Sequence, residues 1–154
     1  MTKRTLLFII VLIIGISSYG QQSNVIIHVN NELVVSGIGR PSITINQGEM
    51  KKSFGVDYVP GKLTMSQNAW ELITNDTIGS FDFQFDYYTS EGKNLDIKRF
   101  KAILSKNLLD SNYLIINIYD FRNRKYRKWY GPYTEEDYFV ELNYPNGPIY
   151  VRYN

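Results

Sequence analysis

The sequence contains no cysteine. This absence excludes disulfide bonds, zinc sites built on thiolates, a cysteine nucleophile and a lipid anchor attached through cysteine. The hydrophobic core must therefore hold the fold together without covalent cross-links. An exported protein without disulfides is more typical of a bacterial periplasm or cell surface than of small secreted eukaryotic modules, which are usually cross-linked.

Catalytic and metal-binding patterns are missing as well. The single histidine, His28, has no second histidine at metal-ligand spacing, so we interpret it as an ordinary strand residue. No Gly-x-Ser-x-Gly nucleophile motif occurs. Asp82 and Asp86 lie about 13 Å apart along a predicted strand, too far for a glycosidase pair, and we expect them on a solvated face. The sequence therefore predicts a non-enzymatic protein with no catalytic residues, no metal site and no cofactor.

Excess charge is absent from the chain that follows the N-terminal segment. The whole chain has a net charge of +2, and residues 1–20 contain the basic residues Lys3 and Arg4 and no acidic residue. The remaining chain is therefore neutral. A neutral chain lacks the basic field with which proteins attract nucleic acid, so we expect no nucleic-acid partner.

Residues 1–20 have the layout of a secretory signal peptide. Two basic residues precede an apolar run, Leu6–Ile14, and the small residues Ser18 and Gly20 precede Gln21. The run is shorter than the roughly 20 apolar residues that a membrane span needs, although an uncleaved anchor remains the alternative. We expect an exported protein of the periplasm or of the cell surface and extracellular space, with no integral membrane segment after processing.

Two segments give the clearest strand signals. The run Tyr113–Tyr119 is short, β-branched and aromatic, which is typical of a buried central strand. In the segment 80–88, polar and aromatic residues alternate, so that Phe81, Phe83 and Phe85 share one face. This alternation predicts a strand with one face on a core and the other in water.

Several shorter segments complete a mainly β pattern. Strands are predicted over residues 24–29, 32–36, 42–46, 54–58, 62–66, 69–74, 138–142 and 149–153. Residues 37–41 contain two glycines and a proline, which predicts a loop or bulge. Short strands at this spacing predict an antiparallel, Ig-like β-sandwich. We expect one β-rich domain over residues 21–154, with two sub-halves, 21–75 and 76–154, as the alternative.

One segment departs from the strand pattern. Apolar residues fall at helical spacing at five positions, namely Ile97, Phe100, Ile103, Leu104 and Leu108. This stripe predicts one short α-helix near residues 97–109, with Asp96 placed to cap its N-terminus.

The most specific surface feature is a stretch in which basic and aromatic residues alternate closely. We call it the basic–aromatic segment, and its members are Arg122, Arg124, Lys125, Tyr126, Arg127, Lys128, Trp129 and Tyr130. We predict a hairpin over residues 122–130. Its charges have two interpretations: they protect a sheet edge and are neutralised by acidic residues such as Glu135–Asp137 or Asp82 and Asp86, or they bind a partner. That partner is an envelope protein, or alternatively a glycan or another surface.

Two stretches resemble a known family. The stretch Glu32–Ile45 is similar to the start of a C-terminal domain of GldM, the gliding-motility and type IX secretion protein of Bacteroidota. The stretch Ser80–Leu142 resembles the layout of that family's last domain, with a Phe-rich strand, a turn, a short helix and two further strands. The end of the signal segment also resembles Bacteroidota export signals, in which a small residue often precedes Gln.

The resemblance implies a periplasmic assembly or interaction module of the secretion and gliding apparatus, without catalytic residues. The sequence departs from the family because it lacks the long coiled periplasmic region. Its N-terminus also resembles a cleaved signal rather than a motor-anchoring helix. From the residues and the resemblance together, we predict an exported, non-enzymatic interaction module of the cell envelope.

Overall fold

The computed structural model describes residues 20–147 apart from 37, 49, 76, 92 and 93. The expected signal peptide, except for Gly20, and the expected final strand 149–153 lie outside the described residues. The strands are β1 (Gln21–Ser23), β2 (Val25–Val29), β3 (Glu32–Leu33), β4 (Ile38–Gln47), β5 (Met50–Val59), β6 (Lys62–Met65), β7 (Ser80–Glu91), β8 (Asn94–Ser105), β9 (Leu114–Asp120) and β10 (Tyr138–Asn143). The helices are α1 (Gln67–Thr74) and α2 (Arg124–Tyr130), with short 3-10 helices at Lys106–Leu108 and Gly131–Tyr133. In this part of the chain no helix is both long and apolar enough to span a membrane.

The strands form two sheets. Sheet 1 has the strand order β1-β6-β5-β4-β7-β8, and sheet 2 has the order β10-β9-β2-β3. Among the described pairs, β2 with β9 is parallel and the others are antiparallel. The mainly β sandwich is therefore confirmed, while the expectation of purely antiparallel strands is wrong at this pair. A parallel pair needs a long crossover, which the intervening chain supplies by building sheet 1.

Both sheets combine the two halves of the sequence. In sheet 2, β2 pairs with β9, and in sheet 1, β4 pairs with β7. The ranges 21–75 and 76–154 therefore each contribute strands to both sheets rather than forming one sheet each.

The core between the sheets is built on the phenylalanines of β7. Phe81, Phe83 and Phe85 are at most 2% exposed, which confirms the face predicted for this strand. The ring of Phe85 lies 5.6 Å from that of Phe83 and 5.8 Å from that of Phe100 on β8. In sheet 2, β9 lies between β10 and β2 and is buried along most of its length, as predicted for the central strand.

The helix predicted near residues 97–109 is wrong. This segment forms β8, which pairs with β7 over its whole length and is followed by the short 3-10 helix. Phe100, Ala102 and Leu104 alternate on the core side, whereas Ile97 and Ile103 are more than half exposed on the other face. Apolar residues on both faces of one strand produced the helix-like spacing. The pairing with β7 prevails because it satisfies the backbone and buries a complete face of the strand.

The strand predicted over residues 69–74 is also wrong, because this segment belongs to α1. The side chain of Ser66 accepts a hydrogen bond from the backbone N–H of Ala69 at 3.3 Å, which caps the helix. Ala69 and Ile73, one helical turn apart, are both fully buried. The buried face therefore has helical rather than strand spacing.

The predicted loop or bulge over residues 37–41 is confirmed as a bulge in β4. The register with β7 shifts between Gly39 and Ser42, so that Arg40 and Pro41 together lie opposite one residue of β7. Arg40 has a φ of 46°, in the left-handed region that side chains other than glycine and asparagine rarely adopt. The bulge turns Arg40 toward β7 and so determines a salt bridge described below.

Candidate functional site

The basic–aromatic segment is a helix, not the predicted hairpin. Its residues 124–130 form α2, and the side chain of Asn123 caps the helix by accepting a hydrogen bond from the backbone N–H of Lys125 at 3.1 Å. Arginine and lysine favour helices, and no β-branched residue opposes this preference. Tyr126 and Tyr130, four residues apart, lie on one face. The alternation that predicted a hairpin is therefore overridden by this cap and this spacing.

Helix α2 is fixed to the outer face of sheet 2 by aromatic stacking. The ring of Tyr130 lies 4.5 Å from that of Tyr119 and 4.7 Å from that of Phe139, nearly parallel to both. The ring of Tyr126 lies 5.2 Å from that of Tyr119. Stacked aromatic pairs stabilise beyond the area that they bury. Two predicted site residues, Tyr126 and Tyr130, therefore hold the helix in place.

Tyr126 is tied to the turn between β2 and β3. Its hydroxyl donates to the backbone carbonyl of Asn30 at 3.1 Å and accepts from the side-chain amide of Asn31 at 2.8 Å. The side chain is only 4% exposed, so Tyr126 is not available to a partner.

Arg122 also has a structural role. Its Nε lies 2.6 Å from Asp120 Oδ2, and its guanidinium forms a second salt bridge with Asp96 of β8. The side chain of Asp120 is 2% exposed and accepts another hydrogen bond from Lys98 Nζ at 2.9 Å. Arg122 therefore links β8 to the end of β9, and the interpretation of internal charge pairing applies to this residue.

The carboxylate of Asp120 is held in its ionised form. Burial by itself would raise the pKa of this group, but hydrogen bonds from Arg122 and the charge and hydrogen bond of Lys98 outweigh burial and lower the pKa of Asp120 below its usual value. The same pairing raises the pKa of the Arg122 guanidinium despite its partial burial.

Four cations of α2 point into solvent. Arg124, Lys125, Arg127 and Lys128 are all exposed, and within the described residues no carboxylate oxygen lies within 4.0 Å of their side-chain nitrogens. Two of the acidic residues expected to neutralise them bind other cations: Asp137 binds Lys98, and Asp86 binds Arg40 and Arg99.

The exposed cations surround a half-exposed aromatic side chain. Trp129 is 45% exposed, and Lys125 Nζ lies 4.5 Å from the centroid of its ring. We define the α2 surface as Arg124, Lys125, Arg127, Lys128 and Trp129. Tyr133, in the 3-10 helix that follows α2, is 76% exposed. Tyr133 was not among the residues predicted from the sequence, although the adjoining Gly131-Pro132 pair is a signal for an exposed turn.

An open groove of about 480 Å³ lies beside the α2 surface. It is lined by Phe121, Arg122, Arg127, Gly131, Thr134, Glu135, Glu136 and Asp137. Cations and carboxylates both reach this groove, so it presents no strong charge of one sign. Within the described residues no group of three or more histidine or acidic side chains could hold a metal ion.

The other residues considered for chemistry have structural roles. His28 Nδ1 lies 2.9 Å from Asn117 Oδ1 on the neighbouring strand, which agrees with its interpretation as a strand histidine. The solvated face predicted for Asp86 is wrong, because the residue is 1% exposed. The bulge in β4 places Arg40 Nε 2.5 Å from Asp86 Oδ2, and Arg99 lies 3.4 Å from its other oxygen.

Comparisons with protein-family models, curated proteins and solved structures gave no match to this chain. The resemblance to GldM therefore remains a hypothesis based on the sequence.

Proposed function

We propose that this protein is an exported, non-enzymatic interaction module of the bacterial cell envelope, and that its α2 surface docks a partner protein rich in carboxylates. The observation that carries the proposal is the set of four exposed cations on α2 without a carboxylate partner among the described residues. The sequence resemblance to the C-terminal domains of GldM supports a role as a component of the secretion and gliding apparatus.

The charge arrangement favours a partner over internal stability. Like charges on one face of a helix repel and raise the free energy of the folded state. Arg122 shows how this fold neutralises a cation, with two carboxylates within salt-bridge distance. The four cations of the α2 surface have no such arrangement in the described part of the chain. An acidic partner would neutralise them, and arginine adds bidentate hydrogen bonds to carboxylates.

The packing of α2 on sheet 2 also favours binding of a partner. Tyr126 and Tyr130 hold the helix on sheet 2, so its outer face is already ordered before a partner arrives. An ordered surface loses less conformational entropy on association than a flexible one. Trp129 provides the aromatic contact area that is enriched at the energetic centres of protein interfaces.

The double substitution Arg124→Glu with Arg127→Glu tests the proposal. We expect the purified variant to retain its thermal midpoint or to gain stability, because repulsion within α2 is relieved. Pull-down of envelope proteins by the variant should fall, and the binding that remains should weaken less with added salt than binding by the unchanged protein. The matched control is Lys51→Glu with Lys52→Glu, which reverses two exposed charges on β5.

The control should bind as the unchanged protein does. Full binding by a folded Arg124→Glu, Arg127→Glu variant would exclude the α2 surface as the docking site. A large loss of stability would instead show that these charges are paired within the fold.

A glycan-binding role is the second candidate, and it is supported by the half-exposed ring of Trp129 with Lys125 above it. An aromatic platform can stack on a sugar ring, and a cation can bind an acidic sugar. Trp129→Ala separates the two functions when the same protein is tested on a glycan array and in the envelope pull-down. Loss of glycan signal with retained protein capture would favour the glycan role for this residue.

A further inference from the structure

The outer edge of sheet 1 is a second surface with the properties of a docking site. β8 is the last strand of this sheet and extends over 12 residues. Exposed sheet edges pair with other strands unless charge, proline, bulges or a covering element prevents it. The pairing of β7 with β8 is continuous and contains no bulge.

The hydrogen bonds of one side chain show which backbone N–H and C=O groups of β8 point away from β7. The hydroxyl of Tyr138 accepts a hydrogen bond from the backbone N–H of Lys101 at 3.1 Å and donates to its carbonyl at 3.2 Å. Both groups of Lys101 therefore face away from β7. Because backbone groups alternate sides along an antiparallel strand, those of Leu95, Ile97 and Arg99 also face away. No other described residue forms a backbone hydrogen bond to this edge.

Three apolar side chains are exposed along this edge. Leu95 is 66% exposed, Ile97 is 52% exposed and Ile103 is 60% exposed. Their outer face also carries Arg99 and Lys101, so every charge there on β8 is positive. Lys101 has no salt bridge to another described residue, and Asp86 is shared between Arg99 and Arg40.

We propose that β8 binds an extended segment of a partner protein, which adds a strand to sheet 1 beside residues 95–99. The segment carries apolar side chains against Leu95 and Ile97, and carboxylates against Arg99 and Lys101. Backbone hydrogen bonds supply affinity, and the alternating side chains supply specificity, as in other cases of strand addition. This surface is separate from the α2 surface, and the proposal does not depend on the function proposed above.

Charge decides between a partner and a second copy of the chain. The outward side chains of β8 in the described range 95–105 include no carboxylate, so a second β8 would bring two more cations and nothing to neutralise them. Like charges opposite each other across strands are destabilising. An acidic, apolar segment is therefore the occupant that this edge fits.

The test uses the intact exported chain and a defined probe. The probe is an acetylated peptide of about eight residues, long enough for one strand, in which threonine alternates first with glutamate and then with valine, so that the glutamates and valines share one face. Nuclear magnetic resonance of the ¹⁵N-labelled protein should show shifts and slower amide exchange at Leu95, Ile97 and Arg99 when the peptide is added. A peptide with lysine in place of glutamate should bind about tenfold more weakly, because opposite-charge pairs become like-charge pairs.

Two variants separate edge binding from loss of structure. Ile97→Pro should abolish binding with little change in the thermal midpoint, because the N–H of Ile97 is not part of the pairing with β7. Lys101→Glu should remove most of the preference for the glutamate peptide, because a carboxylate then lies on the same face as Arg99. Val35→Ser is the control, since Val35 is an exposed apolar residue elsewhere in the chain, and it should bind as the unchanged protein does.

Three outcomes would overturn the proposal. The first is the absence of shifts at a peptide concentration of about 1 mM, the range of weak association. The second is shifts confined to α2. The third is that the same amides shift with protein concentration alone, which would assign the edge to a second copy. The second outcome would instead support the proposed role of α2.

Discussion

Lys98 Nζ lies 2.9 Å from Asp120 Oδ1, and this salt bridge joins β8 of sheet 1 to β9 of sheet 2. Only 11% of the Lys98 side chain and 2% of the Asp120 side chain are exposed. Lys98 also binds Asp137, while Arg122 binds the other oxygen of Asp120. The corner of the sandwich therefore depends on buried charges that are paired, and a charge left without its partner would be costly there.

The first prediction concerns this corner. Asp120→Asn should lower the free energy of unfolding by about 3 kcal/mol, because it leaves Lys98 and Arg122 without their shared carboxylate. The control is Asp57→Asn on the exposed side of β5, which should cost less than about 0.5 kcal/mol. Urea unfolding followed by fluorescence measures both. Similar costs for the two variants would contradict the role of Asp120 in joining the sheets.

The second prediction follows from the lowered pKa of Asp120. A carboxyl whose pKa is lower in the folded state stabilises the fold above its unfolded pKa, near 3.8, and this contribution is lost as the pH falls through the lower folded value. The unchanged protein should therefore lose more stability than Asp120→Asn on acidification from about pH 5 to about pH 2. Thermal midpoints across this range measure the difference. Parallel curves for the two proteins would show that Asp120 titrates normally.

The third prediction concerns the two faces of β7. Phe83→Ala should cost about 3–5 kcal/mol, because a fully buried ring is replaced by a cavity. Asp82→Asn should cost less than about 1 kcal/mol, since Asp82 is only half-buried and its hydrogen bond to Asn46 is long at 3.5 Å. Denaturant midpoints compare the stabilities of the two variants, provided that the slope of the unfolding free energy against denaturant concentration is unchanged. Equal costs would mean that the faces of the strand are assigned wrongly.

The fourth prediction concerns the bulge in β4. A Cβ atom on Gly39 would overlap the ring and hydroxyl of Tyr88, whereas one on Gly55 would meet no atom within 4 Å. Gly39→Ala should therefore lower the free energy of unfolding by about 1–3 kcal/mol, as overpacking usually does. Gly55→Ala should be neutral or stabilising, because alanine restricts the unfolded chain. Equal stability of the two variants would show that Tyr88 moves aside at no cost.

The sequence predicted the fold best where one face of a strand is wholly apolar. The phenylalanines of β7 alternate strictly, so their burial followed from the period alone. The same reasoning failed for β8, because Ile97 and Ile103 are apolar residues exposed on its outer face. Spacing cannot separate an edge strand that is apolar on both faces from a helix with one apolar stripe.

The candidate site was located by sequence, but the roles of its residues were not. The cap at Asn123 and the spacing of Tyr126 and Tyr130 are local signals that could have identified α2. The pairing of Arg122 could not be predicted, because Asp96 is 26 residues away and meets it only once the two sheets pack. The sequence showed where the charges cluster, and only the tertiary structure distinguishes the paired cation Arg122 from the four exposed cations of α2.

The hydroxyl of Tyr138 limits how far a strand can extend along β8. It occupies both backbone groups of Lys101, so a pairing strand that starts near Leu95 must end before this residue. Such a short contact forms and dissociates reversibly, whereas an uninterrupted edge would allow sheets to grow into aggregates. One phenol thus allows the protein to keep an exposed sheet edge without forming fibrils.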